Sequence, residues 1–497
     1  MANRADVTFN PWLANTSPKR PYSLWMEQAV DSPDDVARRP TLQGTQTADV
    51  CIVGGGFTGL WTALRLLEAE PSMKVVIVEA DLCGSGASGR NNGGVGHLWT
   101  ALPKLVDRLG PADGLRLVHQ NLKATDDIKA AVETYGIECE LHRRASAWCA
   151  TAPDQVGVWR PVLELAERLG VPAPYVEISE DETRQLFGKG PYYAAAIQQD
   201  QAWRIQPAKL ARGLLAAVEG LGCIVHERSP VLTIEGRDHD VVVSTASGSV
   251  QADHVVMAAN AWMAHLPEFK PSIMVVTSGI VATDPIPELL EKRGLAGRPG
   301  GFNAGIRINA GGLTQEGRVQ VGGAGHSLGF RGRVPLSFDR HQGDLRTIEL
   351  DYRYLYPELD DVAITHSWSG AIDRSEAGLP RFGHLAADDR VHYAIGYTGH
   401  GVTATSEAGH ILTSAILGRD DEWGDLRALY NRTHTRGFPP EPVRSAAAVF
   451  IGASLGRAEQ RVRDGKRPWA LDRRLSRLAT ASTPLVGARR SAGDGTS

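Results

Sequence analysis

The stretch Asp49-Val50-Cys51-Ile52-Val53-Gly54-Gly55-Gly56-Phe57-Thr58-Gly59-Leu60 decides the fold of this chain. Its apolar residues 50–53 predict a buried parallel strand, and glycines in the spacing Gly-x-Gly-x-x-Gly follow at once. Apolar residues then recur at helical spacing over 60–67, which places the glycines on a strand-to-helix turn. A second apolar run, 75–78, predicts the next strand and ends at Glu79. This combination is typical of a dinucleotide-binding unit.

Each part of the unit has a chemical reason. Gly54 permits the tight turn, Gly56 allows the backbone to approach a pyrophosphate, and Gly59 allows helix and strand to pack closely. The helix N-terminus offers unpaired N–H groups and a positive dipole end to the phosphates. Glu79 is placed to accept hydrogen bonds from the adenosine ribose, and its charge argues against NADP. The alternative interpretation is an ordinary glycine-rich turn.

The composition limits the remaining classes. The chain has 497 residues, room for two or three domains, and its 42% hydrophobic content is that of an ordinary soluble protein. Its 53 Lys and Arg are interspersed with 57 Asp and Glu, so we expect no nucleic-acid partner. Five cysteines without C-x-x-C spacing favour a reduced, cytoplasmic protein. We expect neither export nor a transmembrane segment, because no long apolar run is present, and we predict no metal site.

Two more glycine-rich segments follow. The loop 83–95 surrounds Arg90-Asn91-Asn92 with small residues and suits a segment that runs along a large ligand, with a flexible linker as the alternative. Near the C-terminus, a strand over 391–396 leads into Tyr397-Thr398-Gly399-His400-Gly401 and a helix over 403–418. Strand, glycine-rich turn and helix therefore occur twice, and with the helix and strands between them we predict three visits of the chain to one sheet.

The predicted fold class is α/β, with a Rossmann-like domain built from discontinuous segments and an antiparallel-sheet substrate domain. A helix that begins at Pro207 and strands over 223–226 and 252–260 indicate a return to the first sheet. Residues 265–375 are strand-rich, including 363–368, and predict the antiparallel sheet over a pocket. The predicted divisions are an N-terminal extension, 1–44, with Ser23-Leu24-Trp25-Met26 as its docking point; the dinucleotide-binding domain, 45–135, 200–262 and 376–435; the substrate domain, 136–199 and 263–375; and a C-terminal helical extension and tail, 436–497.

Segments spread over nearly the whole length carry a resemblance to a known family: 54–62, 82–94, 205–214, 260–264, 368–370, 373–375, 378–380, 396–401, Trp423 and 438–442. In these segments the chain resembles the flavin-dependent D-amino acid oxidase superfamily, with its glycine oxidase, sarcosine oxidase and γ-glutamylputrescine oxidase members. It is most similar to the aminophosphonate oxidoreductases of that superfamily. The resemblance implies an enzyme that binds FAD in an extended conformation.

The resemblance also implies which residues contact FAD. They are Gly54, Gly56, Phe57, Thr58, Gly59 and Glu79 at the adenosine end; Ala87, Ser88, Gly89, Arg90, Asn91, Asn92 and Gly93 along the loop; Val231 and Ala259; and Gly399, His400, Gly401, Val402 and Thr403 beside the flavin ring. Members that bind flavin covalently carry a Cys near the position of Trp368 or a His in the loop of Arg90 and Asn91. Both are missing, so we predict non-covalent FAD.

The implied reaction is hydride transfer from an amine-bearing carbon to the flavin, which gives an imine that water hydrolyses. The implied substrate is a small amine or amino acid, including an aminophosphonate or a γ-glutamyl amine. The candidate catalytic residues are His400, Trp368, Arg307, Arg374 and His326, with Trp99 as a further pocket candidate. Each has a plainer alternative: a loop histidine, a surface arginine in a salt bridge or a core tryptophan.

Two departures from the family pattern leave alternatives open. Fast oxidases of the superfamily carry a Lys near the position of Gln320, so the electron acceptor is oxygen or another molecule. Segment 306–311 lacks the Tyr-Tyr-Arg pattern of the aminophosphonate group. An NAD-dependent dehydrogenase and a non-catalytic flavin-binding subunit of a complex are the competing functional interpretations.

Overall fold

Strands and helices alternate over most of the chain in a computed structural model that describes residues 6–9, 22–30, 38–198, 202–305, 308–435 and 437–480. The strands are β1 (Asp6–Thr8), β2 (Gly44–Val53), β3 (Val75–Val78), β4 (Gly94–Val95), β5 (His142–Arg143), β6 (Ser146–Ala150), β7 (Val176–Ile178), β8 (Ala194–Gln198), β9 (Trp203–Arg204), β10 (Ile224–His226), β11 (Thr233–Gly236), β12 (Val241–Ser244), β13 (Gly248–Met257), β14 (Ile273–Ala282), β15 (Gly300–Asn303), β16 (Asn309–Leu313), β17 (Val319–Leu328), β18 (His366–Ser375), β19 (Arg381–Leu385) and β20 (Asp388–Ile395).

The helices connect these strands. They are α1 (Leu24–Ala29), α2 (Phe57–Ala69), α3 (Leu102–Leu109), α4 (Pro111–Thr134), α5 (Arg160–Arg168), α6 (Glu180–Phe187), α7 (Pro207–Gly220), α8 (Pro287–Lys292), α9 (Gln342–Leu355), α10 (Gly401–Ile416), α11 (Glu422–Arg432), α12 (Val443–Arg463) and α13 (Ala470–Thr480). Within the described ranges, no helix combines the length and the apolar character needed to cross a membrane.

A nine-stranded sheet contains the fingerprint. Its order is β1-β11-β12-β13-β2-β3-β10, with β20 beside the C-terminal half of β13 and β19 beside β20. The pairs of β2 with β3 and β13, of β3 with β10, and of β13 with β20 are parallel. Val50 and Ile52 pack under helices on one face, while Cys51 and Val53 pack against the opposite cluster, so both faces are apolar. The three predicted visits to one sheet are therefore present.

The N-terminal segment contributes structure that the sequence does not indicate. Strand β1 pairs antiparallel with β11 and forms an edge of the nine-stranded sheet. Helix α1 buries Leu24, Trp25 and Met26, which is the predicted docking point. The described parts of 1–44 thus add a strand and a helix to the fold, and the sequence does not indicate the strand, because three residues can be recognised as a strand only through their partner.

The second sheet has eight strands in the order β18-β14-β17-β16-β15-β6-β8-β7. Its neighbours are antiparallel except β6 and β15, which run parallel. Strand β18 spans His366–Ser375 and is longer than, and shifted from, the predicted strand over 363–368. The strands of this sheet lie within the segments assigned to the substrate domain, although the domain boundaries themselves stay a prediction.

A small third sheet has β9 between β4 and β5. Gly94 and Arg204 are opposite residues of one antiparallel pair, and His142 and Arg204 are opposite residues of the other. The backbone N–H of Arg144 donates to the carbonyl of Ala202, which extends the second ladder by one step. Side chains on this ladder alternate between its two faces.

The C-terminal region forms two helices, α12 and α13. Phe450 of α12 is 71% exposed, whereas Leu455 is buried. The sequence predicts a helix here but not the second one, and the predicted polar tail lies beyond residue 480, outside the described residues. The five cysteines of the chain are all free and buried.

Candidate active site

One cavity of about 530 Å³ joins the fingerprint, the glycine-rich loop, the small third sheet and the turn before α10. Ligand sites of proteins have volumes of about 300–1,000 Å³. The predicted site residues that line it are Gly54, Gly56, Phe57, Thr58, Glu79, Ala87, Ser88, Arg90, Asn91, Asn92, Val231, Ala259, Arg374, Gly399, His400, Gly401, Val402 and Thr403. Gly59, Gly89, Gly93, Trp368 and Trp99 are outside this lining.

The fingerprint shapes one end of the cavity. Gly54 has φ +115, and a Cβ there would approach the Ala258 carbonyl to 2.6 Å, so glycine is required. The first hydrogen bond of α2 runs from the Leu60 N–H to the Gly56 carbonyl, which leaves the amides of the first turn without helical partners. One of them, Phe57 N–H, donates to Ser88 Oγ at 2.8 Å. This helix N-terminus is suited to an anion.

Glu79 lies at the C-terminal end of β3. Its carboxylate accepts hydrogen bonds from the Gly55 and Asp81 amides at 2.6 and 2.9 Å. Burial raises the pKa of Glu79 to about 7, against the lowering effect of those two amides. A buried carboxylate of this kind is stabilised by further donors, such as the hydroxyl groups of a ribose.

The polar side chains of the loop mainly hold the loop itself. The Arg90 guanidinium donates to the carbonyls of Ser85 and Ser369 at 2.8 and 2.9 Å. The Asn91 amide donates to the Ser88 carbonyl and accepts from Gly93 N–H, both at 2.8 Å. The loop therefore offers mostly backbone to the cavity, rather than the amide and guanidinium groups that its sequence suggests.

Two tryptophans support this loop from outside the cavity. Trp368 Nε1 donates to the Arg90 carbonyl at 2.9 Å, and Trp25 Nε1 donates to the Asn91 carbonyl at 3.0 Å. Their rings pack edge to face with centroids 5.5 Å apart. Trp368 is only 2% exposed, so the structure places it in the core, which is the plainer of its two alternatives.

The turn between β20 and α10 forms the other end of the cavity. Buried Asp373 accepts a hydrogen bond from Gly396 N–H at 2.5 Å, and burial raises its pKa to about 7. Tyr397 accepts a hydrogen bond from the Thr58 hydroxyl at 2.8 Å, which connects this turn to the first turn of α2. The distant glycine-rich turns of the sequence are thus adjacent in space.

His400 is the N-cap residue of α10 and lines the cavity. Its Nδ1 lies 3.1 Å from the Thr398 carbonyl, an acceptor, so Nδ1 carries the proton and Nε2 keeps a lone pair. Burial lowers the pKa of His400, with a smaller effect from the charge of Arg374. The imidazole is therefore neutral and able to accept a proton.

The other charged candidates differ in position. Arg374 lines the cavity opposite Tyr397 in a β-bridge, and burial lowers its pKa to about 10. Arg307 and the side chain of His326 lie outside the described residues. Arg307 therefore stays a prediction, as does any role for His326.

A group of polar residues lies beside the third sheet, and the sequence does not predict it. Arg144, Arg204, His97 and Gln198 line the cavity there. His97 Nε2 and Gln198 Oε1 are 2.5 Å apart, and burial lowers the pKa of His97. These residues are far apart in the chain and carry no motif, so only the strand pairing brings them together.

The cavity fits FAD. A Cβ on Gly56 would contact only Ser88 Oγ, at 3.0 Å, so the rest of the space beside this glycine is free for a ligand. The amides in the first turn of α2 suit a pyrophosphate, Glu79 suits a ribose, and the N-terminus of α10 with Gly401, Val402 and Thr403 suits the pyrimidine edge of a flavin. All of them border the same continuous space.

Comparison with known proteins decides the family. The sequence profile of DAO, FAD dependent oxidoreductase, matches residues 49–415. The chain belongs to the DAO family. It is therefore an FAD-dependent oxidoreductase, which confirms the predicted family, cofactor and α/β fold class.

DAO-family relatives cover most of the chain. The probable oxidoreductase OrdL of Haemophilus influenzae is 26% identical over 80% of this chain and 90% of its own length. The gamma-glutamylputrescine oxidoreductase of Escherichia coli K12 is 28% identical over 76% of this chain and 85% of its own. The crystal structure of glycine oxidase from Geobacillus kaustophilus has a TM-score of 0.62 at 22% identity and covers 76% of this chain and 96% of that one. The last comparison shows that the fold is shared.

Proposed function

We propose that this enzyme oxidises the C–N bond of a small amine or amino acid. The observation that carries the proposal is the single cavity, which connects the fingerprint end at Glu79 with the neutral imidazole of His400. Relatives named gamma-glutamylputrescine oxidoreductase and glycine oxidase support an amine or amino-acid substrate. An aminophosphonate or a γ-glutamyl amine is the finer form of the proposal.

The residues that would hold FAD follow the cavity lining. Gly54, Gly56 and the amides of α2 would face the pyrophosphate, with Glu79 on the ribose and Val231 beside the adenine. The backbone of the loop from Ala87 to Asn92 would follow the cofactor towards its ring. Because no Cys or His occupies the covalent attachment positions named above, non-covalent binding stays our prediction.

Bound FAD supplies a two-electron acceptor for the hydride on the carbon next to nitrogen. That transfer requires a neutral amine, so the substrate ammonium must first lose a proton. His400 Nε2 is the proton acceptor in this proposal, because Nδ1–H is held on the Thr398 carbonyl and burial, by lowering the pKa, keeps the imidazole unprotonated before the substrate arrives. Loss of that proton and of the hydride gives a protonated imine, which water hydrolyses to a carbonyl compound and an ammonium or alkylammonium ion.

The electron acceptor depends on the surroundings of Gln320. This residue is 1% exposed, and its Nε2 donates to the Asn92 carbonyl at 2.8 Å. A neutral amide held in this way places no positive charge there. By the resemblance described above, the members that react rapidly with oxygen carry a Lys near this position. We therefore propose an acceptor other than oxygen for fast turnover. The cytoplasmic location stays a prediction from cysteine usage.

An anaerobic panel of amines tests the proposal. Purified protein is expected to carry FAD, and primary and secondary amines, amino acids, aminophosphonates and γ-glutamyl amines are added one at a time. Bleaching of the visible flavin band by at least one class is expected, with reoxidation compared in air and with ferricenium. If dithionite reduces the FAD and no amine does, the protein is a non-catalytic flavin-binding subunit instead.

A His400→Gln variant tests the role of the imidazole in the same assay. Without a proton acceptor, the substrate ammonium must lose its proton in solution before it enters the site. Bleaching should therefore be slower, and its pH profile should move to higher pH. An unchanged pH profile would remove His400 from the proposed chemistry.

A further inference from the structure

Two arginines occupy neighbouring positions on one face of the small third sheet. Arg204 on β9 is opposite His142 on β5, and the Arg144 amide bonds to the Ala202 carbonyl. Residues 142 and 144 share one face of β5, and residues 202 and 204 share the same face of β9. Arg144 and Arg204 are therefore diagonal neighbours, about 7–8 Å apart at Cα and within reach of one common group. Both line the cavity.

Neither guanidinium forms an ion pair with a carboxylate of the described residues. Arg204 donates to the Asn92 carbonyl at 2.6 Å, and Arg144 donates to the Arg298 carbonyl at 2.5 Å. Arg144 Nε is buried and has no hydrogen-bond partner in the described part of the chain. A buried donor on a charged group without an acceptor is costly, and a ligand oxygen in the cavity would satisfy it.

Burial lowers the pKa of both arginines, and for Arg204 a neighbouring positive charge lowers it further. Burial lowers the pKa of Arg204 to about 10, and the neighbouring charge of Arg144 adds to this effect. Burial also lowers the pKa of Arg144. Two cations that repel each other in a partly buried site are stabilised by an anion between them.

The surroundings leave room for such an anion. Gly94, opposite Arg204 on β4, has no side chain. On the other side the guanidinium packs directly on backbone, since a Cβ on Gly300 or Gly312 would approach Arg204 Nη1 to 3.2 or 3.4 Å, so an anion approaches from the cavity side. All of these residues except Gly312 line the cavity, together with the neutral Gln198 amide. Arg204, these glycines and the Gln198 amide thus form a small polar end of the cavity.

We propose that Arg204 and Arg144 bind an oxyanion group, a carboxylate or a phosphonate, on the amine substrate. This rests on the proposed function and assigns its substrates to the class of anionic amines. The guanidinium fork matches both groups through paired N–H donors. The FAD phosphates are already provided for at the N-terminus of α2, so the two arginines act on the substrate rather than on the cofactor.

Binding of unreactive anions to the FAD-loaded enzyme tests the subsite without turnover. Methylphosphonate and acetate are titrated separately at constant ionic strength, with chloride as the reference, by calorimetry and by the shift of the flavin spectrum. At least one should bind more tightly than chloride and raise the melting temperature. If neither binds more tightly than chloride, the proposal is wrong.

Four variants locate that binding. Arg204→Gln and Arg144→Gln should each weaken the bound anion by about tenfold to a hundredfold, the loss expected for a charged hydrogen-bonded contact. Arg143→Gln is the matched control, because Arg143 is exposed on the other face of the same strand. Arg204→Lys keeps the charge and should bind less tightly than the wild type but more tightly than Arg204→Gln. Equal weakening by Arg143→Gln, or loss of FAD from the Arg144 and Arg204 variants, would overturn the proposal.

A matched set of amines separates this proposal from the proposed function and distinguishes the two oxyanions. 2-Aminoethylphosphonate, β-alanine and propylamine carry a phosphonate, a carboxylate and no anion at similar chain length. Anaerobic bleaching should be faster with one of the anionic amines than with propylamine, and this preference should disappear in Arg204→Gln. If propylamine bleaches the wild-type enzyme as fast as the anionic amines do, the proposed subsite is wrong and amine oxidation stands. If methylphosphonate or acetate binds and no amine bleaches FAD, the subsite stands and amine oxidation fails.

Discussion

At the scale of single residues, the three glycines of the fingerprint face different neighbours. A Cβ on Gly54 would overlap the Ala258 carbonyl, and a Cβ on Gly59 would overlap the Gly54 carbonyl. These two glycines are required by the protein's own packing. Gly56 differs, since its nearest neighbour is the movable hydroxyl of Ser88 at 3.0 Å and the cavity lies beside it.

Gly56→Val should therefore prevent FAD binding while the fold survives. The added side chain would occupy the space through which the pyrophosphate must approach the backbone. We expect colourless protein whose far-ultraviolet circular dichroism matches the wild type, with flavin content measured by absorbance after purification.

Gly424→Val is a matched control, because a Cβ at Gly424 in α11 has no neighbour within 4 Å beyond the adjacent residues and the backbone of its own helix. This variant should keep stoichiometric FAD. Equal flavin content in both variants would mean that the pyrophosphate does not lie at Gly56.

Side-chain roles in the loop show what a sequence leaves open at this scale. Arg90, Asn91 and Asn92 are identified as residues beside a ligand, and all three line the cavity. Their polar groups nevertheless bond to backbone of Ser85, Ser88 and Gly94. A sequence indicates donors and acceptors, but the partner is chosen by backbone groups that only the folded loop brings near.

At the scale of elements, strands and helices with a strong apolar pattern are predicted well. The second glycine-rich turn is followed by α10 at Gly401, two residues before the predicted start. Strand β18 is less predictable, because Gly370, Asp373 and Arg374 interrupt its pattern. It forms through ten paired residues with β14, a tertiary contact that overrides local preference.

Trp368→Phe tests whether β18 supports the loop from the core. The variant would lose the hydrogen bond to the Arg90 carbonyl and leave that buried acceptor unpaired, which costs about 1–3 kcal/mol. The free energy of unfolding and the FAD affinity should both fall, whereas the KM for an amine substrate should not change.

Trp159→Phe is the control for the loss of side-chain volume without the loss of a hydrogen bond to the loop. Trp159 is buried, and its Nε1 forms no hydrogen bond of normal geometry among the described residues, with only the Glu177 carboxylate near it. Its replacement should destabilise the protein less and leave FAD affinity intact. A change of KM confined to Trp368→Phe would instead place that ring against the substrate.

At the scale of the whole molecule, the sequence predicts one sheet visited three times and a second sheet over a pocket. It does not predict the third sheet, whose strands are two residues long and come from three separate regions. The pair Arg144 and Arg204 depends on that sheet. Long-range pairing of short strands leaves no periodic pattern, so this part of the candidate site could not be read from the sequence.

A buried carboxyl between three helices makes global stability depend on pH. Glu407 on α10 accepts hydrogen bonds from Asn121 on α4, at 3.3 Å, and from Tyr430 on α11, at 2.5 Å. Burial raises the pKa of Glu407 from 4.5 to about 7. Its stabilising contribution is therefore complete below pH 4.5 and is lost as the pH rises through about 7.

Glu407→Gln should flatten this dependence, because the amide stays neutral. The free energy of unfolding of the wild type should fall relative to the variant between pH 4.5 and 7, by as much as about 3 kcal/mol. Urea denaturation at several pH values measures it. Exposed Glu349→Gln serves as the control, and parallel pH profiles for Glu407→Gln and the wild type would contradict the prediction.

Two of the buried cysteines allow the opening rate of each large sheet to be measured separately. Cys51 lies on β2 of the nine-stranded sheet and Cys149 on β6 of the eight-stranded sheet. Burial raises the pKa of both thiols, so alkylation in the native protein must wait for local opening. Peptide mapping after timed exposure to iodoacetamide would then report how fast each sheet opens, and whether FAD slows one sheet more than the other.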